Sequence, residues 1–223
     1  MSMNKELDFI TDFHLSTKRE FLKRMIDDKI NSMKVARKFE KDFWDGERKY
    51  GYGGYKYIPN LQTPLAKRLI EYYKLTDSSH ILDVGCGKGF LLYEIKKILP
   101  NINVVGFDIS EYAILNSKSE IRENLFNLKA QEKYPFKDNE FDLVISVNTL
   151  HNLIIQDLEK ALNEIQRVGK KQYIVVESYR NITELFNLQC WALTAECFFK
   201  KEEWLWLFKK FGYKGEYELI YFN

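Results

Sequence analysis

The sequence predicts an α/β protein built on a doubly wound parallel sheet, with a helical extension ahead of it. From His80 to Glu177, short apolar runs alternate with amphipathic ones, which is the rhythm of βαβ units. A glycine-rich loop joins the first apolar run to the amphipathic run that follows it. The 223 residues, 45% hydrophobic and 30% charged, are enough for one such domain and an extra segment.

The extension is predicted at residues 1–60 and the main domain at residues 61–223. Residues 1 to about 50 have helical periodicity, with charged positions that we interpret as a solvated helix face. The predicted apolar stripe consists of Phe21, Leu22, Met25, Ile26 and Ile30. The charged positions between and beside them are Lys18, Arg19, Glu20, Lys23, Arg24, Asp27, Asp28 and Lys29.

The main domain opens with a helix over residues 64–73, for which Thr63 is a candidate cap and Pro64 stands at the first helical position. The predicted strands are residues 80–84, 104–108, 127–131, 141–147, 173–177 and 217–222. Helices are predicted between them at residues 90–99, 112–117 and 158–168, and a tryptophan-rich helix closed by Gly212 precedes the last strand.

Composition excludes several classes of protein. Against 34 basic residues stand 32 acidic ones, so the chain lacks the charge excess of a nucleic-acid-binding domain. Cys86, Cys190 and Cys197 make neither a disulfide framework nor a zinc site, and no metal is predicted. The N-terminal residues are charged where a signal peptide is apolar, and no apolar run approaches the roughly 20 residues that span a bilayer. We therefore expect a cytoplasmic protein that binds neither nucleic acid nor membrane.

The most informative stretch is the loop with glycines at 85, 87 and 89. Alternating glycines allow sharp turns and close approach of a ligand to the main chain. The dinucleotide fingerprint would need a glycine at position 90, where Phe90 stands, and the P-loop pattern is absent. The dense spacing suits a ligand that has an adenosine but no phosphates, which weighs against a nicotinamide-dependent reductase.

Asp108 ends the second predicted strand. A carboxylate at this point accepts hydrogen bonds from both hydroxyls of a ribose. Alternatively, Asp108 caps the helix that follows, with Ser110 and Glu111 behind it. The glycine loop one strand earlier favours the ribose interpretation.

Four segments, in this order along the chain, resemble the motifs of the class I S-adenosylmethionine-dependent methyltransferases. They are Leu82–Gly89, Gly106–Ser110, Tyr134–Ser146, and the passage from Phe198 to Tyr213. The resemblance implies a Rossmann-like seven-stranded sheet of order 3-2-1-4-5-7-6 with the last strand antiparallel. It also implies S-adenosyl-L-methionine as cofactor and S-adenosyl-L-homocysteine as product.

The same resemblance implies a set of cofactor-binding residues. Gly85 and Gly87 would pass beside the methionine half of the cofactor, Asp108 would hold the ribose and Ile109 would contact the adenine. The family often has an acidic residue after strand three to hold the adenine amine. Ala130 and Gln131 stand there, so a backbone group, Gln131 or Glu132 is expected to replace it. The full predicted set is Tyr55, Asp83, Gly85, Cys86, Gly87, Asp108, Ile109, Gln131 and Asn148.

Tyr55 enters this set from residues 50–57, which are rich in tyrosine and glycine and stand where related enzymes place a lid. Tyrosines there can cover a sulfonium by cation–π contact. The alternative is a loop that simply packs on the domain.

Polar residues follow strands four and five, at the edge of the sheet where ligands gather. His151 is a candidate base or orienting group, or alternatively it begins the next helix and bonds a backbone carbonyl. Glu177 ends an apolar strand, where a carboxylate is costly unless it is paired or solvated in a cleft. It is a candidate for binding an amine or positioning an acceptor, and pairing with Arg180 or a lysine is the alternative.

We therefore expect a methyltransferase that acts on a small polar metabolite, such as one containing a sugar or a phosphate. Oxygen is favoured over nitrogen as the acceptor atom, and the protein is expected as a monomer or homodimer. N-methylation of a small amine or amide, or cofactor binding without catalysis, are the alternatives. Lys56, Arg180 and Lys200 are candidates for binding an anionic acceptor, while Trp191, Trp204 and Trp206 are interpreted as packing residues.

Overall fold

The computed structural model describes residues 5–53 and 55–223. Within them six strands form one sheet: β1 His80–Val84, β2 Asn103–Asp108, β3 Leu125–Asn127, β4 Leu143–Val147, β5 Gln172–Glu177 and β6 Glu216–Ile220. Neighbouring strands are all parallel, in the order β3-β2-β1-β4-β5-β6. The predicted doubly wound α/β fold is confirmed. The predictions for residues 1–4 and for Gly54 lie outside the described residues.

The helices lie in the N-terminal segment and on both faces of the sheet. In the described part of the chain they are α1 Thr11–Ser16, α2 Phe21–Ile26, α3 Lys29–Ala36, α4 Lys41–Asp45, α5 Thr63–Tyr73, α6 Phe90–Ile98, α7 Glu111–Leu115, α8 Ile155–Val168, α9 Ile182–Trp191 and α10 Lys201–Lys210. Short 3-10 turns occur at Arg48–Tyr50, Arg122–Asn124 and Leu150–Asn152. None of these helices combines the length and the apolar character that a membrane span requires.

Two details of the predicted sheet are wrong. Six strands are described rather than seven, and β6 runs parallel to β5, with Tyr173 opposite Glu216 and Glu177 opposite Ile220. The connection explains the direction, because the chain leaves β5, passes through α9 and α10 and re-enters the sheet beside the start of β5. The seven-stranded order that the resemblance implies needs a further strand before α10, and the described part of that segment makes only a single bridge, between Tyr179 and Lys200.

The N-terminal segment is not one continuous helix with one buried stripe. Asp28 and Phe39 adopt left-handed backbone angles, with φ of 48° and 52°, and separate the helices there. Of the predicted stripe, Leu22, Ile26 and Ile30 are exposed to solvent. The tight turns therefore divide a pattern that the sequence presents as continuous.

Two local predictions also need correction. Thr63 does not cap α5, because it is already the first helical residue, and its hydroxyl donates a hydrogen bond to Glu94. Residues 182–191 form α9, which the apolar periodicity did not predict.

Alternate residues of the strands feed two separate cores, as expected for a sheet covered on both faces. Leu82 of β1 and Ile174 of β5 pack on the face covered by α8 and α10. Ile81 and Tyr173, their neighbours along each strand, pack on the face covered by α5 and α6. Packing on both faces therefore holds the carboxyl ends of the strands together along one edge of the sheet.

The N-terminal segment is attached to the far edge of this sheet. Glu6 forms a parallel bridge with Tyr217 in β6. The carboxylate of Glu218, which is buried, accepts hydrogen bonds from the backbone N–H groups of Phe9, Ile10 and Thr11 at 2.7, 3.0 and 2.9 Å. A carboxylate at the start of a helix satisfies its unpaired N–H groups. This anchor brings α1 and the residues after it toward the edge where the strands end.

Candidate active site

A cavity of about 680 Å³ lies where the strands end, beneath the N-terminal segment. Its size is within the usual range of ligand pockets, about 300–1,000 Å³. It is lined by every residue predicted from the sequence to bind the cofactor or act in catalysis: Tyr55, Asp83, Gly85, Cys86, Gly87, Asp108, Ile109, Gln131, Asn148, His151 and Glu177. Lys56, Arg180, Lys200 and Glu132 are not among the lining residues.

The glycine loop leaves β1 with left-handed backbone angles, since φ is 77° at Gly85 and 55° at Gly87. A side chain at Gly85 would collide with Thr149, and one at Gly87 would come within 2.8 Å of the Trp44 ring. Glycine is therefore required twice over, for backbone angle and for space. The bare main chain of the loop forms one wall of the cavity.

Asp108 ties the end of β2 to this loop. One carboxylate oxygen accepts a hydrogen bond from Gly87 N–H at 2.8 Å, and the other accepts one from Ser110 N–H at 2.8 Å. Ser110, rather than Asp108, caps α7, since its hydroxyl accepts from Ala113 N–H. Burial raises the pKa of Asp108 to about 6, although both backbone donors lower it. Each oxygen keeps a lone pair for a further donor.

Asp83 is a second buried carboxylate on the same side of the cavity. It is 4% exposed and has no hydrogen-bond partner among the described residues. Burial, together with the charge of Asp108, raises the pKa of Asp83 to about 8. A cationic or hydrogen-bond-donating ligand between these carboxylates would relieve both costs.

The short helix α4 covers the glycine loop. The indole N–H of Trp44 donates to Ser110 Oγ at 2.8 Å and to Phe39 O at 3.0 Å. Lys88, buried inside the loop, pairs with Asp45 at 2.7 Å. We call these two contacts, Trp44–Ser110 and Asp45–Lys88, the latch. The Tyr55 ring packs against Trp44 with ring centroids 4.6 Å apart, so the covering layer extends into residues 50–57.

His151 and Glu177 meet across the ends of β4 and β5. The backbone N–H of Glu177 donates to His151 Nδ1 at 3.4 Å, and His151 Nε2 lies 3.5 Å from Glu177 Oε2. Because Nδ1 accepts, the ring proton belongs on Nε2, facing the carboxyl group. Burial lowers the pKa of His151 to about 3, so the ring is neutral. His151 Nδ1 is therefore occupied, whereas Nε2–H lies against the Glu177 carboxyl group without a hydrogen bond to it.

Glu177 is the unpaired member of this couple. Its Oε2 atom is buried and has no hydrogen-bond partner in the described part of the chain. Burial raises the pKa of Glu177 to about 8, although the charges of Arg19 and Lys29 lower it. The alternative pairing with Arg180 is wrong, because Arg180 donates to Glu184 at 2.5 and 2.9 Å instead.

We call the part of the cavity around Glu177 the far end. The residues that line it and that the sequence did not identify as site residues are His14, Arg19, Tyr52, Trp191, Thr194 and Phe222. Arg19 and two other N-terminal cations, Arg24 and Lys29, turn inward, so the interpretation of a solvated helix face is wrong for them. Arg24 donates to Trp191 O at 2.9 Å, and Lys29 donates to Cys190 O at 2.7 Å. No local pattern marks these residues, since their partners lie more than 160 positions away.

Cys86 occupies the loop as a packing residue. Its sulfur lies so close to Gly106 of β2 that a side chain there would approach it to 2.9 Å. Burial raises the pKa of the thiol well above its usual value, which disfavours a thiolate nucleophile. All three cysteines are free, and the described residues contain no cluster of three or more His, Cys, Asp or Glu side chains that could hold a metal ion.

A parallel doubly wound sheet, a bare glycine loop after its first strand and a carboxylate after its second define an α/β protein that binds a nucleoside-containing cofactor. Residues 75–212 match the profile of the methyltransferase domain family. The chain belongs to that family. This membership confirms the predicted enzyme class, an S-adenosylmethionine-dependent methyltransferase, and the predicted cofactor.

Individual proteins of differing names are similar to part of the chain. The chain is 33% identical over 115 residues to the mitochondrial arginine-hydroxylase NDUFAF5 of Mus musculus, covering 52% of this chain and 33% of that protein. It is 30% identical over 121 residues to the malonyl-[acyl-carrier protein] O-methyltransferase of Legionella pneumophila, covering 49% of this chain and 42% of that protein. The match therefore spans a third to less than half of the length of these relatives.

Among solved structures, the fold is similar to that of geranyl diphosphate C-methyltransferase from Streptomyces coelicolor, solved with S-adenosyl-L-homocysteine. The TM-score is 0.54 at 12% identity, over 67% of this chain and 60% of that one. At this identity the likeness concerns the fold alone. The acceptor and the roles of individual residues have to be argued from the cavity itself.

Proposed function

We propose that this protein transfers the methyl group of S-adenosylmethionine to a hydroxyl group of a small polar metabolite. The observation that carries the proposal is the buried, unpartnered carboxyl group of Glu177, which lines the same cavity as the glycine loop and Asp108. A buried carboxyl group with a raised pKa in a cleft marks a candidate site of proton transfer.

The cofactor is assigned to the acidic end of the cavity. Asp83 is assigned to its ammonium group, and Asp108, which retains lone pairs, is assigned to the ribose hydroxyls. Ile109 and Gln131 line the wall beyond Asp108 and are assigned to the adenine. Trp44 and Tyr55 close over the loop as a lid. Two buried carboxyl groups without a cationic partner among the described residues and the bare main chain of the glycine loop suit a cationic nucleoside that has no phosphates.

The bound cofactor supplies a methyl group on a sulfonium, which is an excellent leaving group. The protein then has to align the acceptor and take up its proton. Glu177 as carboxylate accepts the hydroxyl proton while the carbon–oxygen bond forms and the sulfur–carbon bond breaks. His151 is assigned as a positioning residue, because its Nε2–H faces the Glu177 carboxyl group. Asn148, whose backbone φ is 57°, follows β4, lines the cavity and is assigned to the cofactor.

Size and surroundings support a small acceptor. The volume of about 680 Å³ has to hold cofactor and acceptor together. An oxygen acceptor agrees with the name of the Legionella relative. Three free cysteines agree with a reducing, cytoplasmic setting. A small-molecule partner and a monomeric or homodimeric state complete the proposal.

The first test is calorimetric titration of the protein with S-adenosylmethionine and S-adenosylhomocysteine. We expect micromolar binding to the unaltered protein and loss of it in Asp108→Ala, with Asp138→Ala, an exposed carboxylate far from the cavity, as control. No binding by the unaltered protein would contradict the proposal. A screen of small hydroxyl compounds then follows consumption of the methyl donor, and binding without turnover on any of them would favour a non-catalytic cofactor-binding protein.

A further inference from the structure

The wall of the cavity beyond Glu177 contains a positively charged group that the proposed reaction has not yet used. Arg19 lies in the link between α1 and α2 and lines the cavity. Its guanidinium is held over two aromatic rings, 5.4 Å from the centroid of Trp191 and 5.3 Å from that of Phe222. Stacking of this kind fixes the orientation of an arginine in advance of binding.

Only part of the hydrogen-bonding capacity of Arg19 is used. Nη1 donates to His14 O at 2.9 Å and to Thr17 O at 3.1 Å, and Nη2 lies 3.1 Å from His14 Nδ1. Because a guanidinium only donates, His14 Nδ1 must accept, and its Nε2–H donates to Tyr221 O at 2.8 Å. Burial and the charge of Arg19 lower the pKa of His14 to about 4, in agreement with a neutral ring.

The opposite edge of the guanidinium is uncommitted. Nε is buried without a hydrogen-bond partner among the described residues, and one of the two N–H groups of Nη2 remains. In a guanidinium Nε–H lies side by side with one N–H of Nη2, which is the arrangement that binds both oxygens of a carboxylate or phosphate. The neighbouring cations differ, since none of Arg24, Lys29 and Arg48 has a buried nitrogen without a hydrogen-bond partner in the described part of the chain.

Arg19 also lacks a counter-ion. No carboxylate comes within 4.0 Å of it in residues 5–53 and 55–223. Burial lowers the pKa of Arg19, and the charge of Glu177 raises it. The two groups therefore interact electrostatically although they form no ion pair. A half-buried guanidinium without an anion is costly, and a ligand that supplies one would remove that cost.

We infer that the methyl acceptor carries an oxyanion, a carboxylate or a phosphate, and that Arg19 binds it while the acceptor hydroxyl faces Glu177. This inference rests on the proposed function, because it places the acceptor in the cavity of the cofactor. Arg19 lies outside residues 75–212, the part of the chain that matches the family. The selectivity for an anionic acceptor therefore resides in the N-terminal segment.

The test uses the full chain saturated with S-adenosylhomocysteine. Three probes share a hydroxyl group and differ in charge: lactate carries a carboxylate, glycerol 3-phosphate carries a phosphate, and glycerol is neutral. Binding is measured by calorimetry, and the Nε–H resonance of Arg19 is followed by NMR in the unaltered protein. Arg19→Gln is compared with Arg180→Gln, whose arginine pairs with Glu184 outside the cavity.

We expect at least one anion to bind and to shift the Arg19 Nε–H resonance. The affinity for glycerol should be lower than that for this anion by at least about tenfold. Arg19→Gln should lower the affinity for the anion by about tenfold or more, whereas Arg180→Gln should leave this affinity unchanged. Preference for lactate or for glycerol 3-phosphate identifies the oxyanion.

Equal binding of glycerol, full affinity in a folded Arg19→Gln protein, or no anion-dependent shift of the resonance would each overturn the inference. These outcomes differ from failure of the proposed function, in which S-adenosylhomocysteine itself does not bind. The resonance is read in the unaltered protein, so the test stands even if Arg19→Gln does not fold.

Discussion

The two ends of the cavity differ in charge and in origin. The cofactor end is acidic, because it contains the buried carboxyl groups of Asp83 and Asp108, and it is built from the ends of β1 and β2 and the loops that follow them. The far end is basic, with Arg19 on its wall and Arg24 and Arg48 behind the Trp191 ring. It is built by the N-terminal segment and the region after β5.

This difference gives each ligand one favourable place. A cofactor with an ammonium and a sulfonium is attracted to the acidic end, and an anionic acceptor is attracted to the basic one. Glu177 is the exception at the basic end, since it is a carboxyl group among cations. This position is informative because the nearby cations lower the pKa of the Glu177 carboxyl group but do not bring it down to the ordinary value of a glutamate.

The largest effect is expected for substitution of Glu177, the carboxyl group among these cations. Glu177→Gln keeps size and packing but removes the proton acceptor, so the methyl-transfer rate should fall by about 10²–10⁴-fold. Affinity for S-adenosylhomocysteine should stay within about twofold, because Glu177 belongs to the far end. Single-turnover transfer of a labelled methyl group to the acceptor found by the screen measures the first quantity, and calorimetry measures the second.

The pH dependence offers a check on the same residue. Transfer by the unaltered protein should rise with pH and level off above about 8, because only ionised Glu177 accepts a proton. The charges facing Glu177 are those of Arg19 and Lys29, and neutral His151 adds none. A flat profile together with full activity in Glu177→Gln would remove Glu177 from the proton transfer.

The next largest effect is expected for substitution of Asp83, at the acidic end of the cavity. Asp83→Asn should lower the affinity for S-adenosylhomocysteine by about 10–100-fold, because it removes the charge that is assigned to the ammonium group. The same change should stabilise the unliganded protein at pH 8. The folded-state pKa of Asp83, about 8, is above the ordinary value of 3.8, so the fold loses stability as pH rises between these values.

Thermal or urea unfolding at pH 4 and pH 8 measures this stability. The variant should exceed the unaltered protein by about 4–5 kcal/mol at pH 8, and the difference should vanish near pH 4. Asp138→Asn, on the surface, serves as the control and should change neither stability nor binding appreciably. A destabilised variant at pH 8 would mean that Asp83 has a partner that holds it ionised.

The two ends also differ in how far the sequence predicts them. Gly85, Gly87 and Asp108 lie within one βαβ unit, and their spacing alone indicates a nucleoside site. Arg19 and Trp191 meet only because Glu218 anchors α1 and the N-terminal segment crosses the edge of the sheet. Contacts between residues so far apart leave no periodic trace in a single chain. The antiparallel last strand that the resemblance implies is wrong for a related reason, since in this chain the connection runs through α9 before it returns to the sheet.

The smallest effect concerns the latch, which joins the N-terminal segment to the cofactor end. Trp44→Phe keeps a ring over Gly87 but removes the N–H group that bonds Ser110 and Phe39. The lost hydrogen bonding costs about 0.5–1.5 kcal/mol, so α4 should lift about 2–10 times more often. If the cofactor enters beneath α4, its association and dissociation rates should rise together by about that factor, with less change in affinity. Stopped-flow fluorescence of the remaining tryptophans measures both rates, and Trp206→Phe, at an exposed position, is the matched control. Rates that stay unchanged in Trp44→Phe would mean that the cofactor reaches Asp83 and Asp108 by another route and that α4 only packs upon the loop.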